Sequence, residues 1–424
     1  MKIHIKNGRL IDPKNNIDSQ QDVFIAAGKI IGIGNAPESF VANQTIDATA
    51  LVVAPGFVDL SARLREPGSE HKATLNSELL AAAAGGVTSL ACPPDTNPVL
   101  DEPGLVEMLK YRAKQLNLAH VYPLGALTKQ LAGKYLTEMC ELTQAGCVGF
   151  SQADHAIIDT QVLWRAFEYA ATFGYTIFLR AEDYYLGQNG VAHDGEIASR
   201  LGLKGIPAAA ESLAIATILR IAQETKSRIH LCRLSSAEGV DLVRQAKKQG
   251  LHVTADVSSQ HVHLTDHDIG YFNALANLKP PLRSIRDKQA LCQGLKDGAI
   301  DAICSDHTPV DNDAKLLPFA EAEAGATGLE LLLPLTLKWA ADNKVSLPDA
   351  IAKITHHPAA ILNIAGGDLS LHANADIAIF NSEISWKVDA TQLKSQGKNT
   401  PFLGLTMQGR VQYTLLNGQI TYQA

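Results

Sequence analysis

Five polar side chains stand at or near the ends of short apolar runs. Ser61 and Arg63 lie in "PGFVDLSARLREPG", Arg180 in "YTIFLRAED", Arg233 in "RIHLCRLSS" and Asp306 in "AICSDHTPV". Arginine carries a permanent charge and five N–H donors but no usable lone pair, so it can hold carboxylates or other anions and cannot ligate a metal. Asp306 is the one member of the set that could serve as a ligand or base. Glu182 and Asp183 follow Arg180, and no histidine is placed to partner these acids on a shared axis. Ion pairing and anion contact are therefore the chemistry this set can do.

The positioning elements follow from pattern. Eight apolar runs, 57–64, 86–94, 120–128, 147–153, 175–183, 228–236, 252–260 and 302–310, alternate with segments such as "LVEMLKYRAKQL" and "AESLAIATILRIAQE", whose apolar residues recur every three or four positions. Eight β-then-α units predict an α/β fold, a (β/α)8 TIM barrel over 55–369. Segments 1–54 and 370–424 read as short strands and are expected to form one small β domain beside it. Residues two apart on a strand share a face, so Ser61 and Arg63 point the same way. In such a barrel Arg63, Arg180, Arg233 and Asp306 converge at the C-terminal ends of the strands.

On these frames, together with "AAAAGGVTSLACPPDTNP", "GFSQADHAIID", "GEIASRLGLKGIPAAAE", "PPLR", "GLELLLPL" and "PFLGLTMQGRVQYTLLNGQ", the chain resembles the long-chain dihydroorotases of the amidohydrolase superfamily over nearly its whole length. The resemblance implies zinc ligands at a His-x-His pair on strand 1, at histidines on strands 5 and 6 and at an aspartate on strand 8. Those positions fall on Ser61, Arg63, Arg180, Arg233 and Asp306, and only the last is kept. The bridging carboxylate position of strand 4 falls on Gln152. A divalent ion 4 Å from a guanidinium would be repelled by about 8 kcal/mol at an effective dielectric near 20. No metal, cofactor or catalytic residue is expected. The three arginines are expected to surround Asp306 as a structural plug.

Substrate positions are altered too. Arg65 matches the family's carboxylate-gripping arginine, and either a remnant anion contact or a salt bridge to Glu66 or Asp59 would suit it. Asp95 and Lys279 stand where the family carries asparagines. The "HVH" of 261–263 is expected to pack in a loop, His307 to point off the barrel axis, and His356 and His357 to cap a late helix.

A net charge of −7 and a pI near 6.1 exclude an electrostatic case for nucleic acid or membrane partners. There is no secretory leader pattern and no apolar span, and the six cysteines lack disulfide or metal-finger spacing, so a cytoplasmic protein is expected. The resemblance extends to a dihydroorotase-like chain without zinc ligands. That chain assembles with aspartate carbamoyltransferase, six plus six, as a scaffold in pyrimidine synthesis, and self-association is expected with it. The other class is an active amidohydrolase or related cyclic amidase with an atypical or metal-free site. A regulatory protein binding a pyrimidine or nucleotide in the remnant pocket is compatible with the scaffold.

Overall fold

A computed structural model describes residues 1–424. Each of the eight apolar runs supplies one strand of a parallel barrel: β1 (Phe57–Asp59), β2 (Val87–Cys92), β3 (His120–Ala126), β4 (Gly149–Ser151), β5 (Thr176–Leu179), β6 (Arg228–Leu231), β7 (Val253–Ser258) and β8 (Ala302–Cys304). The strands are covered on both faces, which is why they read as continuous apolar runs rather than alternating ones. The ring closes where Arg63 N donates to His307 O at 2.8 Å and His307 N donates to Ser61 O at 3.0 Å. Closure thus uses the segment that carries the strand-end residues.

A helix follows every strand: α1 (Leu75–Ala84), α2 (Pro103–Leu116), α3 (Met139–Ala145), α4 (Thr160–Phe173), α5 (Ala209–Thr225), α6 (Ala237–Lys248), α7 (Ile285–Asp297) and α8 (Leu332–Asn343). Their starts are set by local chemistry. Thr74 and Ser77 form a reciprocal capping box on α1, and Ser284 and Asp287 do the same on α7. The first and last chain segments do combine: strand Val52–Pro55 lies parallel to Arg9–Asp12 and antiparallel to Ile377–Lys387 within one six-stranded sheet. A four-stranded sheet from residues 2–47 packs against it through Ile3, Ile5, Leu10, Ile377 and Leu415. No helix is long and apolar enough to cross a membrane. All six cysteines are free.

Two loop anchors bear on the strand ends. Gly68 of "REPG" adopts φ +92°, and a Cβ there would collide with the Asn97 carbonyl, so the first loop closes directly on "DTNP". Buried Glu211, in the first turn of α5, accepts the N–H groups of Ser235 and Ser236 at 2.9–3.1 Å together with both hydroxyls. This fixes the turn that follows Arg233. Removing the carboxylate strands four buried donors, so Glu211→Ala is expected to cost about 3–5 kcal/mol. A thermal transition unchanged by the substitution would overturn that account.

Candidate functional site

The three arginines do meet, but around a different carboxylate from the one expected. Asp154, three residues beyond the end of β4, receives Arg233 Nη2 at 2.5 Å, Arg63 Nη2 at 2.8 Å and Arg180 Nε at 2.8 Å. Asp306 is reached by Arg233 Nη1 at 2.9 Å and more distantly by Arg63 Nη1 at 3.6 Å, while Arg180 makes no ion pair with it. Arg180 instead grips Glu182 with both terminal nitrogens, at 2.7 and 3.0 Å. Geometry accounts for the difference: Asp306 follows β8, next to the segment after β1 that bears Arg63 and one strand away from β6, which leads to Arg233, whereas Arg180 ends β5, beside β4 and its loop.

Arg63 also donates through Nε to Asp95 Oδ2 at 2.7 Å and through Nη1 to Thr308 Oγ1 at 3.1 Å. Arg63 and Asp95 are thus a matched pair, which gives the aspartate of "CPPDTNP" a structural partner. Gln152 does not join the cluster. Its amide accepts from Thr128 Oγ1 at 3.0 Å and donates to Leu131 O at 2.8 Å, binding the β3 and β4 loops together. Ser61 is buried beside β8, where its carbonyl takes the His307 N–H.

The electrostatics separate the two central acids. Burial opposes ionisation of Asp154, and Arg233, Arg63 and Arg180 overcome it, holding that carboxyl well below its usual range. At Asp306 burial outweighs Arg233 and Arg63, and its carboxyl is raised. Burial lowers the affinity of Arg233 for its proton, but Asp154 and Asp306 more than reverse this and keep it charged. Glu182, pushed up by burial, is drawn down by Arg180. Asp59, at the end of β1, is pushed up to about 7 by burial, and it accepts from Ser305 N at 2.7 Å and Ser305 Oγ at 2.5 Å, tying β1 to β8.

The backbone carries a second signature. Arg65, Ala153, Arg233 and Asp306 all adopt left-handed φ values between +46° and +61°. Such conformations cost on the order of 1–3 kcal/mol each and gather at functional sites. Here they gather at the ends of four barrel strands, around the arginine cluster.

Above the cluster lies a cleft of about 700 Å³ whose walls include Asp154, Glu182, Tyr184, Val191, Asn277 and Lys279. Arg63 and Arg233 lie beneath it, 5% exposed and already committed to carboxylates. Arg65 is likewise engaged: Nε donates to Pro309 O at 2.8 Å, and Nη2 lies 3.6 Å from Glu323. This corrects the expected pairing with Glu66 or Asp59, since Glu66 pairs with Arg112 and Asp59 with Ser305.

Four of the remaining histidines, His261, His263, His307 and His357, have hydrogen-bond partners within the fold. His261 is buried, with Nδ1 2.6 Å from Ser258 Oγ and Nε2 3.1 Å from Pro280 O; burial lowers it to about 4. His263 Nε2 meets Leu335 O at 2.8 Å. His307 Nε2 lies 2.6 Å from Glu78 Oε2 in a fully buried pair. His356 and His357 do not cap their helix: Thr355 holds the N-cap position, and His357 Nδ1 reaches Asp301 O at 3.0 Å.

Zinc does not fit the strand-end residues. Of the five zinc-ligand positions the resemblance names, three carry guanidiniums, one a hydroxyl, and the fifth, Asp306, is taken by Arg233. One other trio of donors lies close together inside the barrel, His230, Cys232 and Asp256. There His230 already spends Nε2 on Asp256 Oδ2 at 2.9 Å and Nδ1 on Thr254 Oγ1 at 2.8 Å. Burial pushes the Cys232 thiol well above its usual value, so it stays protonated and is a poor ligand.

Comparison with known proteins places this geometry in a family. Residues 50–239 match the dihydro-orotase-like family model. The whole chain is 44% identical over 423 residues to a dihydroorotase-like protein of Pseudomonas aeruginosa, covering all of both chains. It is 40% identical over 427 residues to a dihydroorotase of Syntrophus aciditrophicus, again over both full lengths. Among solved structures, L-hydantoinase (dihydropyrimidinase) from Arthrobacter aurescens superposes with a TM-score of 0.88 at 25% identity, covering 99% of this chain and 95% of that one. Full-length identity at this level, on a barrel whose strand ends align with the predicted ligand positions, shows that the chain belongs to the dihydroorotase-like family of amidohydrolases.

Proposed function

We propose that this chain is a catalytically inactive dihydroorotase-like subunit, and that it supports aspartate carbamoyltransferase in pyrimidine synthesis as a structural partner. The observation that carries the loss of hydrolysis is the Asp154-centred network. It fills the strand-end positions with three paired guanidiniums and leaves no donor set to lower the pKa of a water or to polarise an amide. Retention of the entire barrel then calls for another use of the fold. The loops at the barrel mouth supply surface for one: Tyr271 is 92% and Leu316 81% exposed, and Phe272 and Leu317 stand beside them. Exposed apolar groups clustered in this way favour a protein contact.

Size-exclusion with light scattering tests the reading. The chain is mixed with the aspartate carbamoyltransferase of its own organism and run beside each protein alone. A defined complex near six plus six chains is expected, with transcarbamoylase activity that depends on the mixture. Two unchanged peaks would remove the scaffold role. Dihydroorotate hydrolysis by the purified chain, abolished on replacing a strand-end residue, would restore the atypical-amidohydrolase reading instead.

A further inference from the structure

A second cavity lies far along the chain from the arginine cluster, at the seam between α8 and the long strands Ile377–Lys387 and Thr406–Leu416. It encloses about 550 Å³, within the range of sites that take small molecules. Its floor is apolar, with Leu333, Pro334 and Val411, and its walls carry a polar set that no step above has used.

The aromatic wall is fixed in place. Trp386 Nε1 donates to Gly409 O at 2.8 Å, and the guanidinium of Arg410 lies 5.4 Å from the indole centroid. Gly409 adopts φ +96° where a Cβ would strike Leu337, so the strand irregularity that aims Trp386 and Arg410 inward is built into the sequence. Arg410 pairs with no carboxylate, and the Tyr422 phenol stands beside it. Lys394 supplies a second cation on the rim and is exposed. Glu330, in the same lining, accepts Lys394 N at 2.8 Å and Ser395 N at 3.2 Å. Burial raises its carboxyl to about 7.

We infer that this seam is a ligand site for a planar heterocycle bearing an anionic group, of the mononucleotide class. The ring packs on the Trp386–Arg410 stack, as flat π systems do on indole and guanidinium. The anion meets Arg410 and Lys394, and Glu330 receives a ring or exocyclic N–H. A bare anion leaves the indole unused, and an uncharged ring leaves both cations unpaired. The loop that lines the cavity through Lys394 continues to the buried pair of the barrel, where Ser395 Oγ donates to Glu78 Oε2 at 2.6 Å and Gln396 N to Glu78 Oε1 at 3.0 Å. This site is independent of the proposed assembly role.

Isothermal titration of the full chain tests it, with uridine 5′-monophosphate, adenosine 5′-monophosphate and inorganic phosphate as separate probes. Saturable one-to-one binding of a mononucleotide is expected, with phosphate alone weaker. Arg410→Ala should weaken binding by about tenfold or more, and Trp386→Leu should weaken it too. Lys279→Ala, at the barrel mouth, should leave it unchanged. Arg410→Lys keeps the charge and loses the flat stacking group, so a well-folded Arg410→Lys protein with weakened binding supports the site even if Arg410→Ala misfolds. No saturable binding at millimolar nucleotide overturns the inference. So does binding that survives both Arg410 substitutions, or binding lost on Lys279→Ala alone.

Discussion

Asp154→Ala is expected to destabilise the protein by about 3–5 kcal/mol, the range for removing one partner of a buried ion pair, and by clearly more than Asp306→Ala. Asp154 answers three guanidiniums at 2.5–2.8 Å. Its loss leaves Arg63 with Asp95, Arg180 with Glu182 and Arg233 with Asp306, and removes the one carboxylate that holds all three guanidiniums together. Asp306 offers Arg233 one contact at 2.9 Å and Arg63 one at 3.6 Å, and burial already raises its carboxyl. Its removal relieves part of a desolvation cost while breaking one close pair. Thermal melts of both variants measure the ranking, and equal or reversed losses would overturn Asp154 as the centre.

Neutralising the same carboxyl has a pH signature with a fixed sign. The folded state lowers the Asp154 carboxyl, so the stability it contributes is fully present above its unfolded value near 3.9 and is lost as pH falls from there through the folded value. The gap between wild type and Asp154→Asn should therefore be constant from neutrality to about pH 5. It should close on further acidification. A gap that instead closes as pH rises toward 7 would mean the carboxyl is raised, not lowered.

How much of this was legible beforehand differs by residue. The eight strands were legible because covered parallel strands read as unbroken apolar runs, and each run contains its strand. Arg63, Arg180 and Arg233 were legible as a convergent set because strand order fixes where strand ends point. Asp154 was not, since it sits past β4 in a loop whose path no periodicity records. The available signal was charge balance: three buried guanidiniums need more carboxylate than Asp306 alone can give. Gln152, at the expected strand-4 position, turned to Thr128 and Leu131 instead, a choice decided by the neighbouring loop. Arg65 found Glu323 and Pro309, and Glu211 found the serines after Arg233, both through contacts far apart in sequence. The seam cavity depends on a bulge at Gly409 and on a loop folding over α8, neither of which a single strand pattern reveals.

Zinc added to the purified chain should neither raise its melting temperature nor remain bound through gel filtration. The magnitudes decide this. A divalent ion among three guanidiniums at about 4 Å meets roughly 8 kcal/mol of repulsion from each, before the surrounding carboxylates offset part of it. A structural zinc site supplies about 10–16 kcal/mol with four good donors, and here the carboxylates that could attract the ion are already held by arginines. Bound zinc at a hundredfold excess over its Kd would add about 2.7 kcal/mol of stability, enough to appear as a shifted melt. Replacing Ser61, Arg63, Arg180 and Arg233 together by histidine reverses the sign of the site. Three permanent cations leave, while Asp95, Asp154, Glu182 and Asp306 remain around four imidazoles. That variant should retain zinc, measured by atomic emission on the desalted protein, and should lose it on addition of a chelator. Stoichiometric zinc on the wild-type chain would show that the arginine network opens to admit a metal, and the proposed loss of hydrolytic chemistry would fall with it.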